Sequence, residues 1–241
     1  MSGKPGYNER LWRGGLRRWL HNSRFLFLRH CLTSIPYESV FELGCFDGRA
    51  ITFMPIIPKK YTGADSGWEG GLSIARQRYP QYEFLQASKA ADIRNVLPVD
   101  ITISLETLEH IPEAELLLYL DELQRITKNT LIVSVPIEFG PVFLIKHLVK
   151  RLVPGFAGMG DDRYTFWEIV WATIGRTNKV KRDEHKGFDY RSFCKLLERN
   201  FTVLSVKGLP FSWLPAWLNF GCGIISRPKH AADYRSGSYS R

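Results

Sequence analysis

Ser39-Val-Phe-Glu-Leu-Gly-Cys-Phe-Asp-Gly-Arg49 joins a short apolar run to a turn bracketed by Gly44 and Gly48, and a helical pattern follows. This order predicts a buried parallel strand that breaks at glycine, where the backbone can approach a ligand closely. The helix after the turn offers N–H groups and a positive dipole end. Glu42, just before the turn, can accept hydrogen bonds from a ligand ammonium group. The stretch therefore indicates a crevice for a nucleotide-type cofactor.

A second acidic residue supports this interpretation. Tyr61-Thr-Gly-Ala-Asp65 reads as the next strand, and Asp65 follows Gly44 by 21 positions. An acid about 20 residues beyond the glycine turn commonly binds ribose hydroxyls at the tip of the second strand. Because the carboxyl ends of neighbouring parallel strands meet at one edge of a sheet, we expect Glu42 and Asp65 to face one crevice.

The composition is that of a globular protein with an uneven charge distribution. The chain has 241 residues, 44% hydrophobic and 24% charged, which suits one large α/β domain or two small ones. Its four cysteines form no C-x-x-C pair, so no zinc site or disulfide framework is indicated, and a reducing, cytoplasmic compartment is expected. The net charge is +9, although residues 31–145 alone carry −6. A basic periphery around an acidic centre fits a phosphate-bearing partner or an anionic membrane surface, and equally a solvated basic face.

Strand and helix patterns alternate along the first part of the chain. The predicted strands are residues 40–43, 61–64, 82–87, 100–105 and 130–135, and the predicted helices are 7–34, 68–78, 90–96 and 113–126. This alternation predicts a parallel sheet with right-handed crossovers. Beyond it we expect an irregular, basic and aromatic insert at 137–187, a helix at 190–199, and strands at 201–207 and 220–226. The predicted organisation is a basic helical segment (1–36), one domain (37–230) and a disordered tail (231–241).

The insert contains an amphipathic helix, predicted over 144–153. Its apolar stripe is Leu144, Leu148 and Leu152, and the basic side chains outside the stripe are Lys146, Lys150 and Arg151. The pattern suits peripheral contact with an anionic membrane at its inner face, a lid over a lipid-linked acceptor, or ordinary packing on the domain. The aromatic side chains Tyr164, Phe166, Trp167 and Trp171 either line a sugar or ring pocket or fill the core of the insert.

The order of these motifs resembles that of the class I S-adenosylmethionine-dependent methyltransferases over residues 38–226. Glu42-Leu-Gly-Cys-Phe-Asp-Gly48 resembles the family's first motif, with Phe46 in place of its usual middle glycine. Tyr61-Thr-Gly-Ala-Asp65 resembles the second motif, whose acid holds the ribose diol. Ser104-Leu-Glu-Thr-Leu-Glu-His-Ile-Pro112 is similar to the motif after the fourth strand of many small-molecule members. The resemblance implies an α/β, Rossmann-like fold whose seven-stranded, mostly parallel sheet ends in an antiparallel hairpin.

The resemblance also implies S-adenosyl-L-methionine as cofactor, with no metal. The implied cofactor-binding residues are Glu42, Gly44, Cys45, Phe46, Gly48, Asp65, Ser66, Ala87, Ser88 and Glu106. The candidate catalytic residues are Glu109, His110 and His185. His110 is a possible general base, with a packing role as the alternative. His185 precedes the predicted helix at 190–199, a region that often reaches over the acceptor pocket in this family, and a solvated loop is its alternative.

The preferred function is methyl transfer to oxygen of a small or lipid-linked acceptor, in surface glycan or lipid biosynthesis. An NAD-type oxidoreductase is disfavoured because the turn lacks G-x-G-x-x-G. The charge suggests an RNA methyltransferase, but no basic helix interleaved with aromatic residues supports nucleic acid as a partner. Phe46 and an uncertain base also leave open a non-catalytic, methyltransferase-like binding protein.

Overall fold

The chain folds around a sheet that is seven-stranded within the described residues. The computed structural model describes residues 15–152, 164–183 and 185–229, with the side chains of 16, 17 and 150–152 excepted. The strands are β1 (Ser39–Leu43), β2 (Lys60–Asp65), β3 (Glu83–Gln86), β4 (Val99–Leu105), β5 (Thr127–Pro136), β6 (Phe201–Leu209) and β7 (Gly221–Pro228). Their order in the sheet is β3-β2-β1-β4-β5-β7-β6. Strands β1 to β5 pair in parallel, and β7 pairs antiparallel with both β5 and β6.

Helices connect these strands on both faces of the sheet. The α-helices are α1 (Gly15–Thr33), α2 (Gly71–Arg78), α3 (Glu113–Ile126), α4 (Pro141–Leu152), α5 (Phe166–Thr173) and α6 (Tyr190–Leu197). The 3₁₀ helices are Arg49–Phe53, Trp68–Gly70, Ala90–Ile93, Leu108–His110, Thr177–Lys179 and Ala216–Leu218.

The apolar core lies in two layers, one on each side of the sheet. One layer holds α3 and α6 against alternate residues of β5, such as Leu131 and Val133. The other holds α1 and α2 against the opposite face, where Ile132 of β5 lies. Successive strand side chains point to opposite faces, so a strand covered on both sides carries apolar side chains that point each way. The result is a three-layer α/β/α arrangement, in which α1 is part of the layer that covers the sheet.

The predicted α/β fold, with its mostly parallel seven-stranded sheet and antiparallel end hairpin, is confirmed. The predicted helix at 68–78 is in fact two, because Gly70 has a φ of +74° and separates the 3₁₀ helix Trp68–Gly70 from α2. The helix predicted at 144–153 corresponds to α4, which begins three residues earlier, at Pro141; the segment 137–187 is more regular than predicted because it also contains α5. The predicted tail at 231–241 and the start of the helical segment, residues 1–14, lie outside the described residues.

The strand order determines where a ligand can enter. Connections leave β1 toward β2 on one side, whereas β4 lies on its other side. This reversal of direction opens a crevice at the carboxyl ends of β1 and β4, which is where ligands bind in open α/β sheets. Among the described residues, we find no helix long and apolar enough to cross a membrane.

Candidate functional site

A cavity of about 790 Å³ opens at this reversal point. Its walls come from the carboxyl ends of β1, β2, β3 and β4 and from α1. Most of the predicted site residues line it: Glu42, Gly44, Cys45, Phe46, Asp65, Ser66, Ala87, Ser88, Glu106, His110 and His185. The volume lies within the range of about 300–1,000 Å³ that small-molecule and cofactor sites occupy.

The glycine turn after β1 forms the floor of the cavity. Gly44 has a φ of +81°, and a Cβ atom there would lie 1.9 Å from Thr107 Oγ1. Because L side chains rarely adopt this φ and Thr107 occupies the space, only glycine allows the loops after β1 and β4 to approach so closely. Gly48 also has a positive φ, +71°, but it lies behind the turn against Tyr79, so it does not line the cavity.

Phe46 takes a glycine-like backbone conformation in this turn. Its φ is +46°, in the left-handed region that disfavours residues with a Cβ by about 1–2 kcal/mol. The ring packs over Gly71, where a Cβ would come within 2.5 Å of it, and lies 6.1 Å from the ring of Trp68. The turn therefore keeps its shape without the middle glycine because Gly71 leaves room for the phenyl ring.

Asp65 connects the tips of β1 and β2. Its Oδ2 accepts a hydrogen bond from the Phe46 N–H at 3.1 Å, and its Oδ1 accepts one from the Gly67 N–H at 2.8 Å. A carboxylate oxygen has a second lone pair, so both oxygens can still accept from hydroxyl groups in the cavity. Asp65 and Glu42 line the same cavity, as predicted.

Glu42 lines the cavity and is buried, with an exposed fraction of 3%. It accepts a hydrogen bond from the Tyr61 hydroxyl. Burial raises the pKa of Glu42 to about 8, and the Tyr61 hydrogen bond opposes the shift only in part. Without a cationic ligand Glu42 is therefore largely protonated at neutral pH. A ligand ammonium group beside it would favour the ionised form.

Two further acids follow β4. Glu106 has a φ of +54°, which is strained for a residue with a Cβ. Burial raises the pKa of Glu106, and the charges of Arg24 and Lys146 oppose that shift. Glu109 is 1% exposed, and neither of its carboxylate oxygens accepts a hydrogen bond from the described residues. Burial, followed by the charge of Glu106, raises the pKa of Glu109 well above its ordinary value.

The predicted catalytic residues lie together at one side of the cavity. The rings of His110 and His185 are 4.2 Å apart, at an angle of 69°. His110 Nε2 lies 3.9 Å from Glu109 Oε1, and the side chain of His110 is 46% exposed. Glu109 itself does not line the cavity but lies beside His110. We name these three residues the Glu-His-His cluster.

A short turn positions His185 in this cluster. Asp183 and Lys186 exchange two backbone hydrogen bonds around it, at 3.1 and 2.8 Å. Arg182 donates to the backbone carbonyl of Glu109 at 2.6 Å, which connects the turn to the 3₁₀ helix Leu108–His110. Lys186 forms an ion pair with Glu168 of α5 at 2.9 Å. The contact between His110 and His185 is therefore supported from both sides.

Helix α1 contributes side chains that the sequence patterns did not predict. His21, Arg24 and Phe25 line the cavity, and the charge of Arg24 acts on Glu42, Glu106 and Glu109. The available signal was an arginine that directly precedes the apolar run Phe25 to Leu28, within a segment otherwise read only as basic. Thr107 was also missed, although it follows the predicted Glu106 directly.

The predicted aromatic residues of the insert do not form one cluster. Tyr164 and Trp171 pack against Phe143 in a small core of their own, whereas Phe166 and Trp167 are 71% and 64% exposed. In α4 the predicted stripe is not fully buried, since Leu148 is 45% exposed. Lys146 pairs with Glu138 at 2.8 Å, so it is not a free basic side chain. The side chains of Lys150, Arg151 and Leu152 lie outside the described residues.

Comparison with solved structures identifies similar folds at low sequence identity. The N-methyltransferase NodS from Bradyrhizobium japonicum WM9, solved with S-adenosyl-L-homocysteine, is 13% identical with a TM-score of 0.56, over 91% of each chain. Magnesium protoporphyrin IX methyltransferase (ChlM) from Synechocystis PCC 6803, with the same ligand, is 14% identical with a TM-score of 0.55, over 95% of this chain and 90% of that one.

A third similar structure is the small RNA methyltransferase HEN1, 17% identical with a TM-score of 0.61. The match covers 87% of this chain but only 25% of HEN1, so this chain corresponds to about a quarter of that protein. No family model and no curated protein sequence matches the chain.

Proposed function

We propose that this chain, which has the fold of the class I S-adenosylmethionine-dependent methyltransferases, transfers a methyl group from S-adenosyl-L-methionine to oxygen of a small or lipid-linked acceptor. The observation that carries the proposal is that Glu42, Asp65 and Glu106 line one cavity together with His110 and His185. Acids at the tips of adjacent strands supply the groups that a nucleoside with an amino acid tail requires, and the imidazoles lie beside them.

The residues of the cavity floor fit this cofactor. Because Gly44 has no side chain, the loops after β1 and β4 can approach each other closely at the ligand cavity. Asp65 keeps lone pairs that a ribose diol can donate to. Glu42 is buried and its pKa is raised, so an ammonium group would meet an acid whose ionised form it stabilises. Ala87 and Ser88 lie at the tip of β3, on the side of the cavity where the adenine would lie.

In the proposed reaction Glu42, Asp65 and Glu106 would hold S-adenosyl-L-methionine, which would supply a methyl group on a sulfonium and retain the bonding pair on sulfur. The protein must hold the acceptor oxygen in line with that methyl group and exclude water. We assign the acceptor to the side of the cavity where the Glu-His-His cluster lies. His110, which is partly exposed there, would take the proton that the acceptor hydroxyl loses when its oxygen bonds to carbon.

The exposed apolar side chains of the insert favour an acceptor at a lipid surface. Helix α4 contacts α5 and the 3₁₀ helix Ala216–Leu218, so these elements share one side of the molecule. Their exposed apolar side chains are Ile145, Leu148, Val149, Phe166, Trp167 and Trp217. Such a patch, beside a chain of net charge +9, fits peripheral contact with anionic lipid. A role in surface glycan or lipid biosynthesis is the finer proposal that follows.

Two measurements test the proposed function. Incubation with labelled S-adenosylmethionine and lipid extracts, followed by mass spectrometry, should yield a product heavier by one methylene. In a liposome sedimentation assay, replacing Leu148 and Trp167 by Ser should lower binding to anionic vesicles. Leu97→Ser is a matched control, because Leu97 is 78% exposed but lies outside these elements, just before β4. Equal binding of all variants would exclude the patch from membrane contact.

The similarity to HEN1 favours one alternative, an RNA methyltransferase. The net charge of +9 is compatible with a polyanionic acceptor. RNA binding that falls steeply as salt rises would support this alternative, because each phosphate contact releases counterions. Methylation of lipid extracts, with no salt-dependent RNA binding, would support the preferred function.

A further inference from the structure

We propose that the Glu-His-His cluster, formed by Glu109, His110 and His185, binds a divalent transition-metal ion. Each of the three residues offers one ligand atom, and these atoms all lie within 4.8 Å of one another. The set comes from two separate parts of the chain, the 3₁₀ helix Leu108–His110 and the turn at 183–186. Their convergence at one side of a cavity is a property of the fold.

The buried carboxylate of Glu109 points to a cation independently of this spacing. Glu109 is 1% exposed, and both its oxygens are buried without a hydrogen-bond donor among the described residues. Buried polar groups in folded proteins are nearly always paired, so an orphaned carboxylate requires an explanation. Arg182 comes close but donates to the backbone carbonyl of Glu109. An ion between Glu109 and the two imidazoles would occupy the orphaned oxygens.

The geometry of the cluster is close to that of a metal site. Ligand atoms about 2.0–2.2 Å from one ion are separated from each other by roughly 3–4 Å. His110 Nε2 and Glu109 Oε1, at 3.9 Å, already meet this condition. The remaining separations need to shorten by about 1 Å at most, given the 4.8 Å limit. The hydrogen bonds of Arg182 and of the 183–186 turn hold the backbone, so these shifts require movement of side chains only.

The ligand types indicate which ions bind. Two imidazoles and one carboxylate suit Zn²⁺, Mn²⁺, Fe²⁺ or Co²⁺, whereas Mg²⁺ and Ca²⁺ prefer sets made only of oxygen. Three protein ligands leave further coordination positions open. His110 and His185 line the cavity, so these positions face it. This part of the inference rests on the proposed function. If that function holds, oxygen atoms of the acceptor molecule would occupy the open coordination positions. The imidazoles would then be ligands, and the hydroxyl proton would leave to solvent.

The test is metal binding by chelator-treated protein, followed by titration with Co²⁺ and Zn²⁺. We expect one Co²⁺ per chain and a visible absorption band that Zn²⁺ abolishes. Glu109→Gln, His110→Ala and His185→Ala should each weaken Co²⁺ binding at least about 10-fold. His30→Ala is the matched control, because His30 is exposed on α1 outside the cavity and should leave binding unchanged. His110→Ala removes a half-exposed side chain, so it remains informative if Glu109→Gln fails to fold.

Binding of Co²⁺ with equal affinity by wild type and His110→Ala, or loss of binding in His30→Ala alone, would overturn the inference. Titration of the metal-free protein with S-adenosyl-L-homocysteine separates this outcome from failure of the proposed function. Binding of S-adenosyl-L-homocysteine without Co²⁺ binding leaves the function standing and rejects the metal site. Co²⁺ binding that depends on the Glu-His-His cluster, without S-adenosyl-L-homocysteine binding, would support the metal site and reject the proposed function.

Discussion

Replacement of Glu42 by Gln should stabilise the protein increasingly as the pH rises. The folded-state pKa of Glu42 is about 8, against 4.5 for an unperturbed glutamate. Below pH 4.5 the carboxyl is protonated in both the folded and the unfolded chain, so the buried acid carries no penalty. Between pH 4.5 and about 8 the unfolded chain loses this proton while the folded chain retains it, so the free energy of unfolding falls as pH rises.

The size of the effect follows from the difference between the two pKa values. Each pKa unit corresponds to about 1.4 kcal/mol, so a shift of this size lowers the free energy of unfolding by about 3–5 kcal/mol at about pH 8. The amide introduced by Glu42→Gln has no proton to lose, and its oxygen can still accept from the Tyr61 hydroxyl. The stability gap between Glu42→Gln and wild type should therefore widen by that amount from about pH 5 to about pH 8.

Urea unfolding of the ligand-free protein, followed at several pH values, measures this gap. Glu38→Gln is the control, because Glu38 is exposed in its ion pair with Lys59, with a side-chain exposure of 68%. Its gap to wild type should stay within about 0.5 kcal/mol at every pH. If the Glu42→Gln and wild-type curves run parallel over this whole pH range, Glu42 is not the buried proton-binding acid described above.

Three further predictions concern the cavity. Gly44→Ala should destabilise the protein by about 2–4 kcal/mol in urea unfolding, since the new Cβ meets Thr107 and Ala disfavours φ of +81°. The double variant with Thr107→Gly should recover the part of the lost free energy of unfolding that comes from the contact with Thr107. Asp65→Ala should weaken S-adenosyl-L-homocysteine binding by about 1–3 kcal/mol in calorimetry, because a diol loses its acceptor. Arg182→Leu should increase hydrogen exchange around His185, because the turn loses its bond to the 3₁₀ helix.

Each of these has an outcome that contradicts it. No recovery in the Thr107→Gly double variant would mean that the steric contact at Gly44 is absent. Asp65→Asn is the control for Asp65→Ala, because it retains an oxygen for the backbone N–H groups. Unchanged affinity in both would place the ribose elsewhere. For Arg182, unchanged exchange at His185 would show that the turn is rigid by itself.

The parallel sheet was predictable from the alternation of strand and helix patterns along the chain. Residues 130–135 are mostly apolar, as expected of a strand buried on both faces, whereas residues 100–105 alternate polar and apolar side chains at their start; β5 and β4 contain these segments. The 21-residue spacing of Gly44 and Asp65 also predicted their common edge, since it spans one crossover connection and the strand that follows it. Both signals are local in the sequence, and the topology of a parallel sheet converts them into a shared location.

The remaining features depend on contacts that no local pattern encodes. Phe46 tolerates a glycine conformation because Gly71, 25 positions later, leaves room for its ring. Lys146 reads as a basic side chain available to lipid, but it pairs with Glu138. Arg24 reaches the cavity because α1 packs on the sheet. Each of these depends on tertiary packing, which places residues of distant segments side by side.

The burial of Glu109 could not be predicted from the sequence for a different reason. Glu109 and His110 are neighbours in one 3₁₀ helix, and a short helix turns one side chain inward and the next outward. Glu109 is 1% exposed while the His110 side chain is 46% exposed. The sequence predicted the pair as candidate catalytic residues but could not distinguish the inner residue from the outer one.

Calorimetric titration of the wild-type protein with S-adenosyl-L-homocysteine and, separately, with NAD tests the central claim most directly. The account predicts one site per chain for S-adenosyl-L-homocysteine, with micromolar affinity that falls in Asp65→Ala, and no binding of NAD. Binding of NAD alone would contradict it, as would S-adenosyl-L-homocysteine binding that is unaffected by Asp65→Ala and Gly44→Ala.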